Sequence, residues 1–487
     1  MKRTNYKLNR WIVAAIVGVP VALPVLASED DDIAALKAQI QELDQKVRIL
    51  ERERELDQDA ASDKAKTLPQ ITVGANGFSF VNVGSNSDTN FAVGIHGVLQ
   101  LDTRTFGSDD NVPGSSGFLL RRARPIISGT VFHDFDFLFV PDFGNAAPGA
   151  TSATPTPTIY DALINYRYSP ELQFQAGKFK SPIGLEQLQA DANILFNERS
   201  LVTDLVPNRD LGFELHGDID GGVLSYAVGI FNGVGDERNT SNYSFQDNRE
   251  FDGRLFTQPF KKYNKPWLQN LGLGLAGGWG QSSITNTLGL PNTTGGSSAG
   301  YTTDGQQQFF AYNPGSGSVV AEGTHWRLSP QGTYYYGPLG LMGEYAISDQ
   351  GVENSGVKRS ANLENTAWEV TGSWVLTGEN ASFNGVTPKH PFDPRKGQWG
   401  AFQVVGRYAE LNSDQAAFPY FSNPNTSASG AQAWGIGLNW YLNQNIRADA
   451  SFSHTTFNGG GSLAGSPPGS VSSHPEDVFF TRLQLAF

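Results

Sequence analysis

Cysteine is absent from the 487 residues, which excludes a disulfide framework while leaving an oxidising compartment open. Methionine occurs twice. After the first 27 residues no stretch approaches eighteen uninterrupted apolar residues, so no helical membrane anchor is expected. The formal charge is −13, and the basic surface that nucleic-acid binding demands is missing. The seven histidines are scattered without metal-ligand spacing. No nucleophile elbow, phosphate loop or dinucleotide fingerprint stands out either. These absences argue against an enzyme, a metal site and a nucleic-acid partner, and no cofactor is implied.

What is present is clearest at the end of the chain. Phe479, Thr481, Leu483, Leu485 and Phe487 share one parity and are mostly apolar, while Arg482, Gln484 and Ala486 on the other are polar or small. That is a strand with one apolar and one wet face, long enough to cross a bilayer when tilted in a closed barrel. A terminal aromatic such as Phe487 is the usual end of bacterial outer-membrane barrels, where assembly factors read it.

The front of the chain agrees. Lys2, Arg3, Lys7 and Arg10, the apolar run Trp11 to Leu26 and the small residues before Ser28 make residues 1–27 a secretory signal peptide. In 28–66, Ile33, Leu36, Ile40, Leu43, Val47 and Leu50 recur at steps of 3 and 4, a short coiled-coil seam with Lys46 and Glu51 placed to pair between helices. The seam's residue types favour two strands, and a single amphipathic helix is the other reading. Residues 67–90, rich in Gly, Asn and Ser, read as a linker.

From 91 to 487 strand-like runs alternate with turn clusters. Candidate strands lie near 91–105, 118–131, 135–143, 159–168, 171–179, 211–220, 222–231, 251–260, 270–280, 323–336, 338–348, 362–377, 399–411, 431–443, 445–457 and 476–487. Sixteen is an even number, as a single-chain bacterial barrel requires. The fold expected is therefore all-β, a 16-stranded antiparallel transmembrane β-barrel behind a short N-terminal coiled-coil helix. Short turns alternate with long polar loops, except that 378–398 is long on the short-turn side. Tyr160, Tyr166, Tyr168, Trp368 and Trp374 are candidates for the aromatic girdles.

Sixteen strands leave an aqueous channel, so function falls to its narrowest part. The loop 180–210 carries Leu185, Leu188, Ile194, Leu195, Phe196 and Leu201, apolar anchors suited to packing inside the wall or over a neighbouring subunit. Arg121-Arg-Ala-Arg124 is the densest basic motif. Arg122 and Arg124 share the polar parity of Ser128 and Thr130; Arg121 has the other parity, near the strand end where it can snorkel. Gln100, Asp102 and Arg104 face the lumen on the same logic. Lys178 and Lys180 follow the lipid parity of Leu172 and Phe174 unless Gly177 introduces a bulge. Arg199 and Arg209 stand beside Glu198 and Asp210. Such guanidinium groups form either an anion path or a solvated wall balanced by Asp102, Asp134, Asp136 and Asp161.

The chain resembles the phosphate-selective porin O and P family across roughly 91–487. The resemblance rests on Arg121-Arg-Ala-Arg-Pro125, Pro141-Asp-Phe-Gly144, Tyr160-Asp-Ala-Leu-Ile-Asn-Tyr-Arg-Tyr168, Ala176-Gly-Lys-Phe-Lys-Ser-Pro-Ile-Gly-Leu-Glu186 and Glu198-Arg-Ser-Leu-Val-Thr-Asp-Leu-Val-Pro-Asn-Arg-Asp210. It implies a trimeric outer-membrane channel in lipid, passing small anionic solutes such as phosphate or polyphosphate along an arginine ladder. By motif position Arg121, Arg122, Asp161, Lys178 and Arg199 are its lumen residues, and Val98 stands where a basic residue would strengthen the path. The expected function is passive diffusion across the outer membrane of a Gram-negative bacterium, with the helix in the periplasm. A general-solute porin and an envelope tether acting through that helix are the alternatives.

Overall fold

The structure, a computed structural model, describes residues 29–67, 70–74, 77–82, 91–107, 116–144, 157–240, 249–283, 289–291, 299–459 and 475–487. The expected signal peptide lies outside the described residues. The chain divides into two units, 1–67 and 68–487.

The first unit contains one helix, α1 (Glu29–Thr67). Its seam residues Ile33, Leu36, Ile40, Leu43, Val47 and Leu50 are 45–63% exposed among the described residues. Lys46 pairs with Glu42 at 2.7 Å and Arg48 with Asp44 at 3.0 Å, both one turn back along the helix.

The second unit is built on an eighteen-stranded antiparallel sheet. Its first two strands, β1 (Gln70–Gly74) and β2 (Gly77–Asn82), form a hairpin within the stretch read as a linker. An open edge explains it. The last strand stops opposite Val98 of β3 (Phe91–Phe106), and β2 pairs with the residues left over, Phe91–Ile95. Gly77 turns the hairpin at φ +83°, where a Cβ would lie 2.1 Å from the Ile95 carbonyl oxygen.

Sixteen strands close the barrel, each pairing with its sequence neighbour. They are β3, β4 (Gly117–Val131), β5 (Phe135–Asp142), β6 (Thr158–Ser169), β7 (Leu172–Lys180), β8 (Arg209–Ile219), β9 (Leu224–Phe231), β10 (Glu250–Thr257), β11 (Leu271–Ser282), β14 (Val319–Tyr336), β15 (Leu339–Asn354), β16 (Arg359–Val375), β17 (Ala401–Asn412), β18 (Gly430–Tyr441), β19 (Ile446–Asn458) and β20 (Glu476–Ala486). β20 pairs back onto β3, and Phe487 exchanges backbone hydrogen bonds with Gly97 at 2.9 and 3.0 Å. The remaining two strands, β12 (Gly300–Thr302) and β13 (Gln308–Ala311), form a separate hairpin inside the loop between β11 and β14.

Alternation decides the faces. On β18, Trp434, Ile436 and Leu438 are exposed while Ala433 and Asn439 are buried. On β20, Phe479, Leu483 and Leu485 are exposed while Phe480, Arg482 and Gln484 are buried. The apolar parity meets lipid and the polar parity lines the lumen.

The segment 349–361, left between the candidate strands 338–348 and 362–377, is strand almost throughout. β15 and β16 stay paired to Asn354 and Arg359, leaving a four-residue turn. Its polar residues belong to strands that continue past the apolar band, where backbone pairing persists after side-chain alternation stops signalling it.

Candidate functional site

The loop between β7 and β8 folds into the barrel as an anchored constriction. It carries a short helix α2 (Leu185–Leu188) and a 3-10 turn, Leu201–Leu205. Ile183, Leu201, Val202, Leu205 and Val206 enter one apolar cluster with Tyr301, Phe309 and Phe310 of the β12–β13 hairpin and with wall residues such as Ala367 and Leu411. Leu195 and Phe196 pack on Val405. The loop's apolar anchors therefore bind the inner wall, and part of the lumen is filled like a small soluble core.

Polar groups fix the rest. Glu344 of β15 accepts the N–H groups of Leu185 and Glu186, at 2.9 and 3.1 Å, satisfying the free start of α2. Gln100, Gln484 and Asn439 donate to the carbonyls of Asp191, Ala192 and Leu195 at 3.1, 2.9 and 3.0 Å. From the short-turn side, Phe383 in the connection 376–400 accepts from Gln189 at 2.7 Å.

Two loop carboxylates collect the arginines. Glu198 meets Arg121 through both oxygens at 2.6 and 2.9 Å, and Arg104 at 2.7 Å. Asp191 meets Arg199 at 2.6 Å and Arg122 at 3.6 Å, contacts Arg124, and lies 3.9 Å from Arg209. Arg124 also pairs with Asp142 at 2.7 Å, and Arg209 with Asp161 at 3.2 Å. Burial alone would raise the Asp191 pKa, but Arg122, Arg199, Arg124 and Lys180 overcome it and hold the group well below the ordinary carboxylate range. Glu198 is likewise held down by Arg121 and Arg104 against its burial.

Arg121 reaches the lumen by a route its parity does not suggest. The β3–β4 register shifts between Gln100 and Leu101, whose partners are Arg122 and Leu120, so Arg121 is the extra residue of a β-bulge and turns inward. A second shift sets Val140 against Asp161 and Pro141 against Ile159. Tyr160, expected in an aromatic girdle, is thereby buried in the wall between the guanidinium groups of Arg124 and Arg209, 3.6 and 3.8 Å from its ring centre. Gly177 produces no bulge, for pairing runs unbroken on both sides. Lys180 nevertheless donates to the loop carbonyl of Gln189 at 2.7 Å, whereas Lys178 donates to the carbonyl of Thr240 at 2.7 Å.

The β12–β13 hairpin is the part that sequence reading missed, although Asp304-Gly305, a turn pair between Tyr301 and Phe309-Phe310, is a weak hairpin signal. Its tip is clamped: Asp304 accepts from Arg407 and Ser453 at 2.7 Å, Gly305 accepts from Arg104 at 3.2 Å, and Thr303 donates to Glu476 at 2.9 Å. Gln306 sits there at φ +63°. Where tip and loop meet the wall, a polar chamber of ≈ 50 Å³ remains, lined by Arg121, Arg122, Arg199, Asp204, Glu237 and Gln306, among others. On the short-turn side of the loop the lumen opens into cavities of ≈ 640 and ≈ 590 Å³. The chamber is thus narrow beside the wider spaces on that side of the loop. No group of acidic and histidine side chains among the described residues is arranged to hold a metal ion.

Residues 93–487 match the family described as phosphate-selective porin O and P. No curated protein sequence is significantly similar. Among solved structures, the outer membrane channel DcaP of Acinetobacter baumannii is 10% identical, with 82% of this chain and 97% of that one aligned at a TM-score of 0.50. OmpT of Vibrio cholerae is 12% identical over 83% of this chain and 99% of that one at 0.48. The anion-selective porin from Comamonas acidovorans is 10% identical over 82% and 100% at 0.48. At such identities the DcaP likeness bears on the fold alone, and it is the closed barrel described above. Barrel, constriction and family match make the protein an outer-membrane channel rather than an enzyme, and the chain belongs to the phosphate-selective porin O and P family.

Proposed function

We propose that this chain is a passive diffusion porin that admits small hydrophilic solutes and favours anions, inorganic phosphate and polyphosphate among them. The observation that carries the reading is the chamber wall, where Arg121, Arg122 and Arg199 converge on one narrow space. Arg121 keeps the largest side-chain exposure of the clustered arginines, 13% against 1% for Arg104 and 3% for Arg122. It is the guanidinium best placed to replace part of an anion's hydration. Burial, then Glu237, pushes Asp204 well above the ordinary carboxylate range, so it does not cancel the arginines while it keeps its proton.

A second reading, a general-solute porin, is favoured by a different fact: Arg121, Arg122 and Arg199 each already face a loop carboxylate. Replacing Arg121 and Arg122 together with glutamine separates the two. Loss of anion preference supports the anion path, and unchanged ion selectivity removes them from it.

The exposed seam of α1 supports self-association of the helix in the periplasm, and the trimer is the assembly that fits the family. Phe487 is the proposed recognition point for barrel assembly.

A further inference from the structure

A hollow interrupts the lipid-facing wall between β9 and β14. Register sets Val228 of β9, Gly253 of β10, Gly277 of β11 and Leu328 of β14 in one row, on the outward parity. Over the two glycines lies an apolar space of ≈ 520 Å³, bordered by Ile219, Leu224, Val228, Leu255, Leu275 and Leu328 among others.

Backbone packing explains one glycine and not the other. A Cβ at Gly277 would lie 2.7 Å from the Arg327 carbonyl oxygen. At Gly253 the nearest atom would be the Ala227 carbonyl oxygen, at 3.8 Å, and φ is not positive. No neighbour requires glycine there, so what its missing side chain provides is room.

The same two central strands are joined at their short-turn end, which faces the periplasm, by a basic connection. Residues 258–270 hold three lysines and no carboxylate, in a chain of net charge −13. The connection is braced from within. Pro266–Gln269 forms one helical turn, Gln269 donates to the Tyr263 carbonyl at 2.7 Å, and Phe260 meets Tyr263 edge-on with ring centres 5.7 Å apart. Residues 261–267 are exposed, Tyr263 and Trp267 among them. Lys261 donates to the Gly222 carbonyl at 3.3 Å, beside the lumen, and Lys262 pairs with Asp220. Lys265 has no ion pair among the described residues. Exposed Trp and Tyr mark the level of lipid headgroups, and lysines at a membrane surface attract acidic ones.

Hollow and lysines are spaced to suit one molecule. Gly253 stands four residues from Thr257, the end of β10, which is about 13 Å along the strand and about 10 Å in depth at a tilt of about 40°. One leaflet's hydrocarbon is about 15 Å deep, so an acyl chain hanging from a headgroup at the connection reaches the hollow.

We propose that this face holds one phospholipid of acidic headgroup from the periplasmic leaflet, its phosphate at Lys262 and Lys265 and an acyl chain over Gly253. The site lies outside the lumen and does not depend on which solute the channel passes.

Native mass spectrometry of the full chain in detergent, titrated with phosphatidylglycerol or phosphatidylcholine of the same acyl chains, tests this in barrels that remain SDS-resistant. Phosphatidylglycerol is expected to be retained at one per chain, and phosphatidylcholine far less. Lys262→Gln and Lys265→Gln are expected to weaken that retention by about fivefold per lysine. Gly253→Leu is expected to abolish it while both lysines remain. Equal retention of the two lipids, or phosphatidylglycerol binding that survives either Gly253→Leu or the paired lysine change, would overturn the site. Loss of an oligomer rather than of lipid in Gly253→Leu would place a second copy against this face and overturn it equally.

Discussion

Arg121 and Glu198, 77 residues apart in sequence, meet in a two-point contact, Nε to Oε1 at 2.6 Å and Nη2 to Oε2 at 2.9 Å. A β-bulge turns the arginine inward, and an inserted loop brings the carboxylate. The contact places the channel's most exposed clustered arginine at the chamber and holds the loop that forms it, so selectivity and loop docking share one residue pair.

Glu198→Gln removes the charge that Arg104 and Arg121 share. Breaking a buried pair while leaving its partner charged costs about 3–5 kcal/mol, here expected to appear as loop loosening in an intact barrel. Single-channel recording in planar bilayers is expected to show higher, noisier conductance and a reversal potential shifted further toward anions.

Acid is expected to act late on docking. A carboxylate depressed in the folded state stabilises above its unfolded pKa, and that contribution is lost as pH falls through the folded value. Asp191 and Glu198 are both depressed, so their share of loop docking is expected to hold from neutral pH to about 4 and to be lost, as a change in conductance, only in stronger acid.

Asp204 titrates in the opposite sense. Its pKa is raised by burial and then by Glu237, against one N–H from Thr302. Its contribution to stability is therefore present below the unfolded pKa and lost as pH rises through the folded one. Over that rise the chamber gains negative charge. Anion preference is expected to fall as it does so, and Asp204→Asn is expected to flatten the profile of reversal potential against pH.

The hairpin is held by its aromatic side chains. Phe310 is fully buried against Tyr301, Tyr312 and Phe418, and truncating a buried Phe to Ala costs about 3–5 kcal/mol. Phe310→Ala is expected to free the hairpin, raising conductance and admitting protease cleavage within 299–311 while the sixteen strands stay folded.

Much of this was legible in the chain because lipid imposes a period of two. Trp434-x-Ile436-x-Leu438 and Phe479-x-Thr481-x-Leu483 reveal their faces directly, and Arg122, Arg124 and Arg104 fall on the lumen side as their parity requires. The pattern fails where the backbone departs from regular pairing. Arg121 and Tyr160 sit at bulges, which shift the face of a side chain without a mark in the composition. The hairpin at 300–311 lies in a long polar loop, and its aromatics have meaning only against Val202 and Phe418. Asp191 and Glu198 carry no local signal of being buried among arginines; that follows from closure of the barrel around the loop.

The most direct test of the anion path is the reversal potential of the purified channel in a potassium chloride gradient, followed by phosphate titration against the chloride current. The account expects an anion-selective potential and a chloride current that falls as phosphate is added. A potential near zero or leaning to cations, with no block by phosphate, would contradict it and leave a general-solute porin built on the same barrel.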